Sequence, residues 1–277
     1  MPSEIASLTL PLFVPGDRAD RFAKAAAAGP DAVIVDLEDA VAPEAKQSAR
    51  EALAEGLSTM PAGMPILLRI NAAGTEWHGA DLAAAARLPL EAVLLPKAES
   101  ADDLRRVADR CGCPVVALVE TAAGLHRAVE IAGASARIAF GSIDFAADLA
   151  MGHTRQSLLT ARSALVMAAR LAGQPAPIDG VTTVIHDAEL IAGDCAHAVE
   201  LGFSGKLLIH PAQILPARRG FAPRQAEIDW AERVLAATAD GAAMRIDGAM
   251  VDAPVIRRAE QIMARRPAPA ERSDACP

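Results

Sequence analysis

The stretch "AVIVDLEDAV", residues 32–41, begins as a continuous apolar run, Ala32 to Val35, and then places Asp36, Glu38 and Asp39 within four positions. A short unbroken apolar run suits a parallel strand covered on both faces. Carboxylates are costly in such surroundings unless they are paired. The two halves are compatible if the strand is buried and the acids stand at its carboxyl end.

The same pattern repeats on either side. Runs at 8–16, 31–39, 64–71, 91–99, 113–121, 137–144, 176–181 and 205–211 read as strands, each with a helical pattern beside it. Pro43 suits a first helical turn. Ser100 caps the helix after the fourth run, with Asp102 and Asp103 in its first turn. Eight βα units in about 220 residues match an α/β fold of the (β/α)8 TIM-barrel type. A doubly wound parallel sheet has the same periodicity and is the structural alternative. The seventh run, "APIDGV", is the weakest of the eight.

Beyond Pro211 the pattern stops. Residues 224–237 read as a helix, 243–254 as two short strands about Asp247-Gly248, and "VIRRAEQIMARR" as a closing helix before a frayed tail. The expected division is a barrel over 1–220 and a C-terminal helical and hairpin arm, or lid, over 221–277.

Composition narrows the function. Over 277 residues the net charge is −8, Tyr is absent and 3% of residues are aromatic, which argues against a nucleic-acid partner. No apolar run approaches the roughly 20 residues of a membrane helix. The opening residues lack the basic segment of a secretory signal. A cytoplasmic location without a membrane partner is expected. The cysteines, Cys111, Cys113, Cys195 and Cys276, fit no zinc or disulfide framework and are expected to be reduced.

Polar residues gather where the strands end: Asp36, Arg69 with Asn71, Lys97, Glu120, Asp144, Asp179 and His210. In a barrel these ends open on one face, where active sites are built. Glu120 and Asp144 come from consecutive strands, which lie about 4.8 Å apart, so the two carboxylates can share a cation or form two separate salt bridges. Oxygen donors favour a hard ion, Mg2+. Gly141 and Ser142 of "FGSID" bring backbone N–H groups close to a ligand and can hold a small carboxylate. Arg69 either neutralises Asp36 and Glu38 or binds a substrate oxygen that becomes negative; the two roles are compatible. His78, His126, His153, His186 and His197 read as surface residues, and His210 as a structural hydrogen-bonding group.

At these residues a family becomes recognisable. "LFVPGDRADRFAKA", "DAVIVDLEDAVAPEAK", "RINAAGTEWHGADL", "LPKAES", "VALVETAAGL", "AFGSIDFAADL", "GFSGKLLIHPAQI" and "DGAMVDAPVIRRA" together resemble the citrate lyase β-subunit-like proteins of the HpcH/HpaI aldolase/citrate lyase family, which includes malyl-CoA and citramalyl-CoA lyases. The eight blocks run in order from about residue 9 to 265. The resemblance implies a (β/α)8 barrel, Mg2+ (with Mn2+ as a substitute) and carbon–carbon cleavage of an acyl-CoA thioester to a small keto acid. It also implies a homo-oligomer, often a trimer. Carried over by motif, Glu120 and Asp144 match metal ligands, Arg69 matches the substrate-binding arginine, and Glu120 lies close to substrate. Asp252 of "VDAP" matches an acid that the arm brings into a neighbouring subunit's site. Glu38, with Asp36, is expected to hold Arg69 in place. Family members usually show Gly-Ala-Glu-Asp-Leu where this chain has Gly141-Ser142-Ile143-Asp144-Phe145, so one acid beside the metal is replaced by Ile143. Two rival readings remain: a subunit acting on a thioester of an acyl carrier protein, and a non-catalytic metabolite-binding scaffold. Thioester hydrolysis after cleavage is a further variant of the enzymatic reading.

Overall fold

Each apolar run of the repeating pattern becomes a parallel strand. β1 (Pro11–Pro15), β2 (Ala32–Asp36), β3 (Ile66–Arg69), β4 (Ala92–Leu95), β5 (Val115–Val119), β6 (Arg137–Phe140), β7 (Ile178–Asp179) and β8 (Gly205–Lys206) lie side by side in chain order. A parallel bridge between Leu12 and Leu208 brings the chain after β8 back onto β1. Phe13 N donates to Leu208 O at 2.8 Å and Leu208 N to Pro11 O at 2.9 Å. A doubly wound sheet has two open edges; here the ring is joined, and the fold is a (β/α)8 barrel. The computed structural model describes residues 4–238, 245–246 and 249–266.

Strand alternation divides the side chains between two apolar layers. Ala32 and Ile34 of β2, Leu67 of β3, Leu94 of β4, Leu118 of β5 and Ile178 of β7 fill one cluster. Val33 and Val35 are also fully buried, on the other face of β2, so all five residues of that strand are buried. This is why the runs read as continuous rather than alternating.

Two local differences from the sequence pattern have clear causes. The sixth run does not remain extended to residue 144. β6 stops at Phe140, Gly141 breaks it, and a helix covers Ser142–Asp148, so Asp144 stands in a first helical turn rather than at a strand end. The N-terminal segment, which has no strong helical period, forms a one-turn helix, Glu4–Ser7, and its Ile5 and Leu8 join the barrel core.

Those residues close the amino-terminal end of the barrel through Arg137, the first residue of β6. Its side chain is fully buried. It donates to Ile5 O at 2.8 Å, Leu8 O at 2.6 Å, Ala176 O at 2.8 Å and Ser204 Oγ at 2.8 Å. Burial pushes its pKa down to about 10, still far above neutrality. One cation thus ties together the segments that precede β1, β7 and β8.

The chain divides into two compact units, 1–217 and 218–277. In the second, the helices Gln225–Thr238 and Ala253–Ala264 pack around Ala231, Val234, Ala259 and Ile262. β9 (Arg245–Ile246) and β10 (Ala249–Met250) pair antiparallel. The Asp247-Gly248 turn expected between them lies outside the described residues, as does the tail 267–277 with Cys276. Cys111, Cys113 and Cys195 are free thiols. Among the described residues no helix is long and apolar enough to cross a membrane.

Replacing Arg137 by Met removes four charge-assisted donors and leaves three carbonyls buried without them. Arg137→Met is expected to lower stability by more than about 3 kcal/mol. Urea unfolding with the parental midpoint would show that apolar packing alone seals this end.

Candidate active site

The site begins with register. β2 and β3 pair so that Asp36 lies directly beside Arg69. Arg69 Nε donates to Asp36 Oδ1 and Nη2 to Oδ2, both at 2.7 Å, a bidentate fork on a carboxylate. Arg69 Nη1 lies 3.0 Å from Glu38 Oε2 and 3.4 Å from Asp39 Oδ2. The Glu38 contact is ionic rather than a hydrogen bond, because Glu38 Oε2 has no aligned donor. Burial opposes the charge on Arg69, but its hydrogen bonds to Asp36 and the fields of Asp36, Glu38 and Asp39 outweigh that and raise its pKa above the ordinary arginine value. The guanidinium carbon also sits 4.9 Å from the centre of the Phe13 ring, from β1.

Asp36 organises the loop that follows it. Its Oδ1 accepts from Glu38 N at 2.8 Å and its Oδ2 from Ala40 N at 3.0 Å. Lys46, buried in a helix, donates to Leu37 O at 2.8 Å and Glu38 O at 3.0 Å. Asn71 Nδ2 donates to Leu37 O at 2.9 Å and to the buried Asp81 at 2.6 Å. Asp36 and Glu38 of "VDLED" are therefore fixed in a rim rather than solvated, while Asp39 is exposed beside Arg69.

On the other side of the mouth, Glu120 follows β5 and is buried. Lys97 N donates to its Oε1 at 2.8 Å, and Lys97 adopts φ 47°, a left-handed conformation costly for a side chain larger than glycine. Lys97 Nζ donates to Glu38 Oε1 at 2.7 Å and lies 3.9 Å from both Glu120 Oε1 and Asp144 Oδ2. Burial, reinforced by Glu38 and Asp144 against Lys97, pushes the Glu120 carboxyl up to about 8. Burial likewise raises Glu38, against Arg69 and Lys97. The cluster is thus short of positive charge.

Gly141 permits this arrangement. A Cβ there would collide with Glu120 Oε2 and sit 2.5 Å from Glu120 Cβ. Gly180, after β7, does the same for Ser142, whose Cβ would lie 2.7 Å from an added methyl. Ser142 Oγ is paired with His153 Nε2 at 3.0 Å. A cavity of about 250 Å3 joins Arg69, Asp39, Glu120, Gly141, Ser142 and Asp144, with Ile143 and Phe13 among its apolar walls.

Most of the residues singled out in the sequence meet here: Arg69, Glu120, Gly141, Ser142 and Asp144 line the cavity, and Glu38 touches Arg69 and Lys97. Asp179 instead belongs to a buried triad with Arg162 (2.8 Å) and Lys206 (3.2 Å). His210 Nδ1 accepts from Ala212 N at 3.1 Å, a structural role. Asp252, in the 218–277 unit, caps the helix Ala253–Ala264 by accepting from Val255 N at 3.1 Å. Sequence reasoning placed Lys97 at a strand end without a role in the site. Its only signal was a cation directly after a buried apolar strand.

Glu120 and Asp144 fit a divalent ion. They are hard oxygen donors of a cluster short of positive charge, and both approach the Lys97 ammonium. Among the described residues no three acidic, His or Cys side chains form a ready-made cage. Two protein carboxylates, with the remaining positions taken by water and substrate, make a coordination that suits Mg2+.

The barrel thus brings a carboxylate pair, Glu120 and Asp144, and a clamped arginine, Arg69, to one cavity. The chain belongs to the HpcH/HpaI aldolase/citrate lyase family, whose sequence model matches residues 10–211. It is 40% identical over 264 residues to a citrate lyase subunit beta-like protein of Mycobacterium tuberculosis, covering 92% of this chain and 94% of that one. It is 36% identical over 262 residues to a (3S)-malyl-CoA thioesterase of Cereibacter sphaeroides, covering 92% and 91%. The structure superposes with a TM-score of 0.85 on the CitE protein of M. tuberculosis in complex with magnesium, acetoacetate and coenzyme A, at 38% identity over 94% of this chain and 98% of that one.

Gly141→Ala tests the packing of Glu120. Displacing that carboxylate by about 1 Å is expected to lower turnover about a hundredfold while the circular dichroism spectrum is kept. Parental turnover in that variant would mean Glu120 can move without consequence.

Proposed function

We propose that the protein is a Mg2+-dependent carbon–carbon lyase that cleaves a β-hydroxyacyl-CoA thioester of the malyl, citramalyl or citryl type into a keto acid and an acyl-CoA, or joins them. The observation that carries this reading is the placement of a charge-deficient carboxylate pair, Glu120 and Asp144, and a fixed arginine, Arg69, around one small cavity. The magnesium, acetoacetate and coenzyme A bound by the M. tuberculosis CitE protein support it.

Glu120 and Asp144 would hold the ion. Bound there, it supplies Lewis-acid charge to the substrate's hydroxyl and carboxylate oxygens. Arg69 faces the oxygen on which the thioester enolate carries its charge, and its interaction strengthens as that charge develops. Its fork is held by Asp36, so little reorganisation accompanies the reaction. The backbone N–H of Ser142, in the first turn of the helix Ser142–Asp148, would bind the keto-acid carboxylate; the Gly141 N–H expected beside it instead donates to Val119 O at 2.9 Å. In the cleavage direction the β-hydroxyl would give up its proton as the carbon–carbon bond breaks, and Asp252, carried by the arm of a neighbouring subunit in a homo-oligomer such as the trimer the family resemblance implies, would return a proton to the enolate at the thioester α-carbon.

Keto acid release from a panel of malyl-, methylmalyl-, citramalyl- and citryl-CoA thioesters tests the reading. Release is expected to need Mg2+ or Mn2+ and to vanish in Glu120→Ala and Asp144→Ala. Full activity in excess chelator overturns it. Free CoA without keto acid would identify a thioesterase, the activity named for the C. sphaeroides relative.

The shared-site element has its own test. Glu120→Ala and Asp252→Ala chains, each inactive alone, are expected to regain part of the activity when co-expressed, because mixed oligomers combine an intact barrel with an intact arm. Mixed oligomers that form but stay inactive would return Asp252 to its capping role, worth about 1 kcal/mol.

A further inference from the structure

A second cavity, of about 290 Å3, lies on the other side of Val181, which lines both. One wall carries Arg162, from the helix Leu159–Leu171, and Lys206 of β8. Both are buried, and they share one buried carboxylate, Asp179. Arg162 Nε donates to Asp179 Oδ1 at 2.8 Å. Lys206 Nζ donates to Asp179 Oδ2 at 3.2 Å and to Gly180 O at 2.6 Å. Two cations thus face one anion. Arg162 Nη1 is buried and has no hydrogen-bond partner. Buried charge without a counter-charge is costly, and a buried donor left unpaired adds to the cost.

The carboxylate among the cavity's lining residues, Asp194, does not supply the missing anion. Asp194 is engaged by Arg155, whose Nη2 and Nε donate to Oδ1 at 2.7 and 3.0 Å, and by Thr182 Oγ1, which donates to Oδ2 at 2.8 Å. The charges lining or buried behind this cavity are Arg155, Arg162 and Lys206 against Asp179 and Asp194, one positive charge in excess. Burial, then Arg162 and Lys206, hold the His153 imidazole below its ordinary pKa, in keeping with that excess. The loop after β7 is held in shape by the buried Gln213, whose Nε2 donates to Thr182 O at 2.8 Å and Val184 O at 3.0 Å.

We infer that this cavity is a binding site for a small oxyanion, a carboxylate or a phosphate, held chiefly by Arg162 and Lys206. The inference is independent of the lyase reading, because none of these side chains is assigned to that reaction. The site nevertheless touches the first cavity. His153, on its rim, is paired with Ser142 at 3.0 Å, and Val181 is the shared partition. An anion bound here is one side chain away from the reacting groups.

Calorimetric titration of the full-length protein with inorganic phosphate, and separately with succinate, tests the site at constant ionic strength in chloride without divalent ions. Saturable binding of at least one anion is expected. Phosphate alone would point to a free phosphate group, and succinate to the carboxylate of a metabolite. Arg162→Gln should weaken binding about tenfold or more, the loss of one charged hydrogen-bonding group. Where Arg162→Gln does not fold, Asp194→Asn decides. It removes a carboxylate and frees Arg155, so binding should tighten about tenfold, a direction that general damage does not produce. Absence of saturable binding by either anion overturns the inference, as does binding unchanged by the deciding variant.

Discussion

The Asp36–Arg69 fork is the interaction on which the site depends. It exists because two parallel strands pair in one register, and a one-residue slip would turn one of the two side chains to the other face. The fork has two jobs. It satisfies a carboxylate and a guanidinium that the barrel buries, and it fixes the plane of the guanidinium before any substrate arrives. Asp36 also holds the next turn through two backbone N–H groups, so the positions of Glu38 and Asp39 follow from the same contact.

Across the mouth the electrostatics run the other way. Glu38, Glu120 and Asp144 approach one another with a single ammonium, Lys97, among them. Lys97 takes a left-handed backbone conformation, and its N–H donates to Glu120. Strain of this kind persists where surrounding structure over-determines it, and here the buried Glu120 does so. The barrel therefore carries a rigid pair on one side and an under-neutralised acidic group on the other. A divalent ion and an anionic substrate are the ligands we propose for that asymmetry.

The strand-end residues divide by how many neighbours compete for them. Asp179 has two buried cations and becomes part of the frame. Asp144, in an open first helical turn, is 41% exposed at its side chain and is left available to a ligand. Both were equal candidates by position in the sequence. What separates them is that Asp179 lies between Arg162 and Lys206, whereas Asp144 lines the open cavity.

The sequence by itself determined eight βα units, and the closure of the ring between Leu12 and Leu208 made them a barrel rather than a doubly wound sheet. Eight apolar runs of strand length, each beside a helix, leave few ways to cover both faces of every strand. It also placed polar residues at the ends of those strands, and the family resemblance assigned Glu120, Asp144 and Arg69 to them. Tertiary structure alone decided the rest. The Glu4–Ser7 turn is too short to carry a period, and it is ordered by Arg137, more than a hundred residues away. Lys97 joined the site through a backbone angle that no residue type announces. Arg162 and Lys206 meet Asp179 only because the helix Leu159–Leu171, β7 and β8 are neighbours in space. Periodicity records which face of an element is covered. It does not record which charges a closed ring brings together, because that depends on long-range register and on the burial that follows from it.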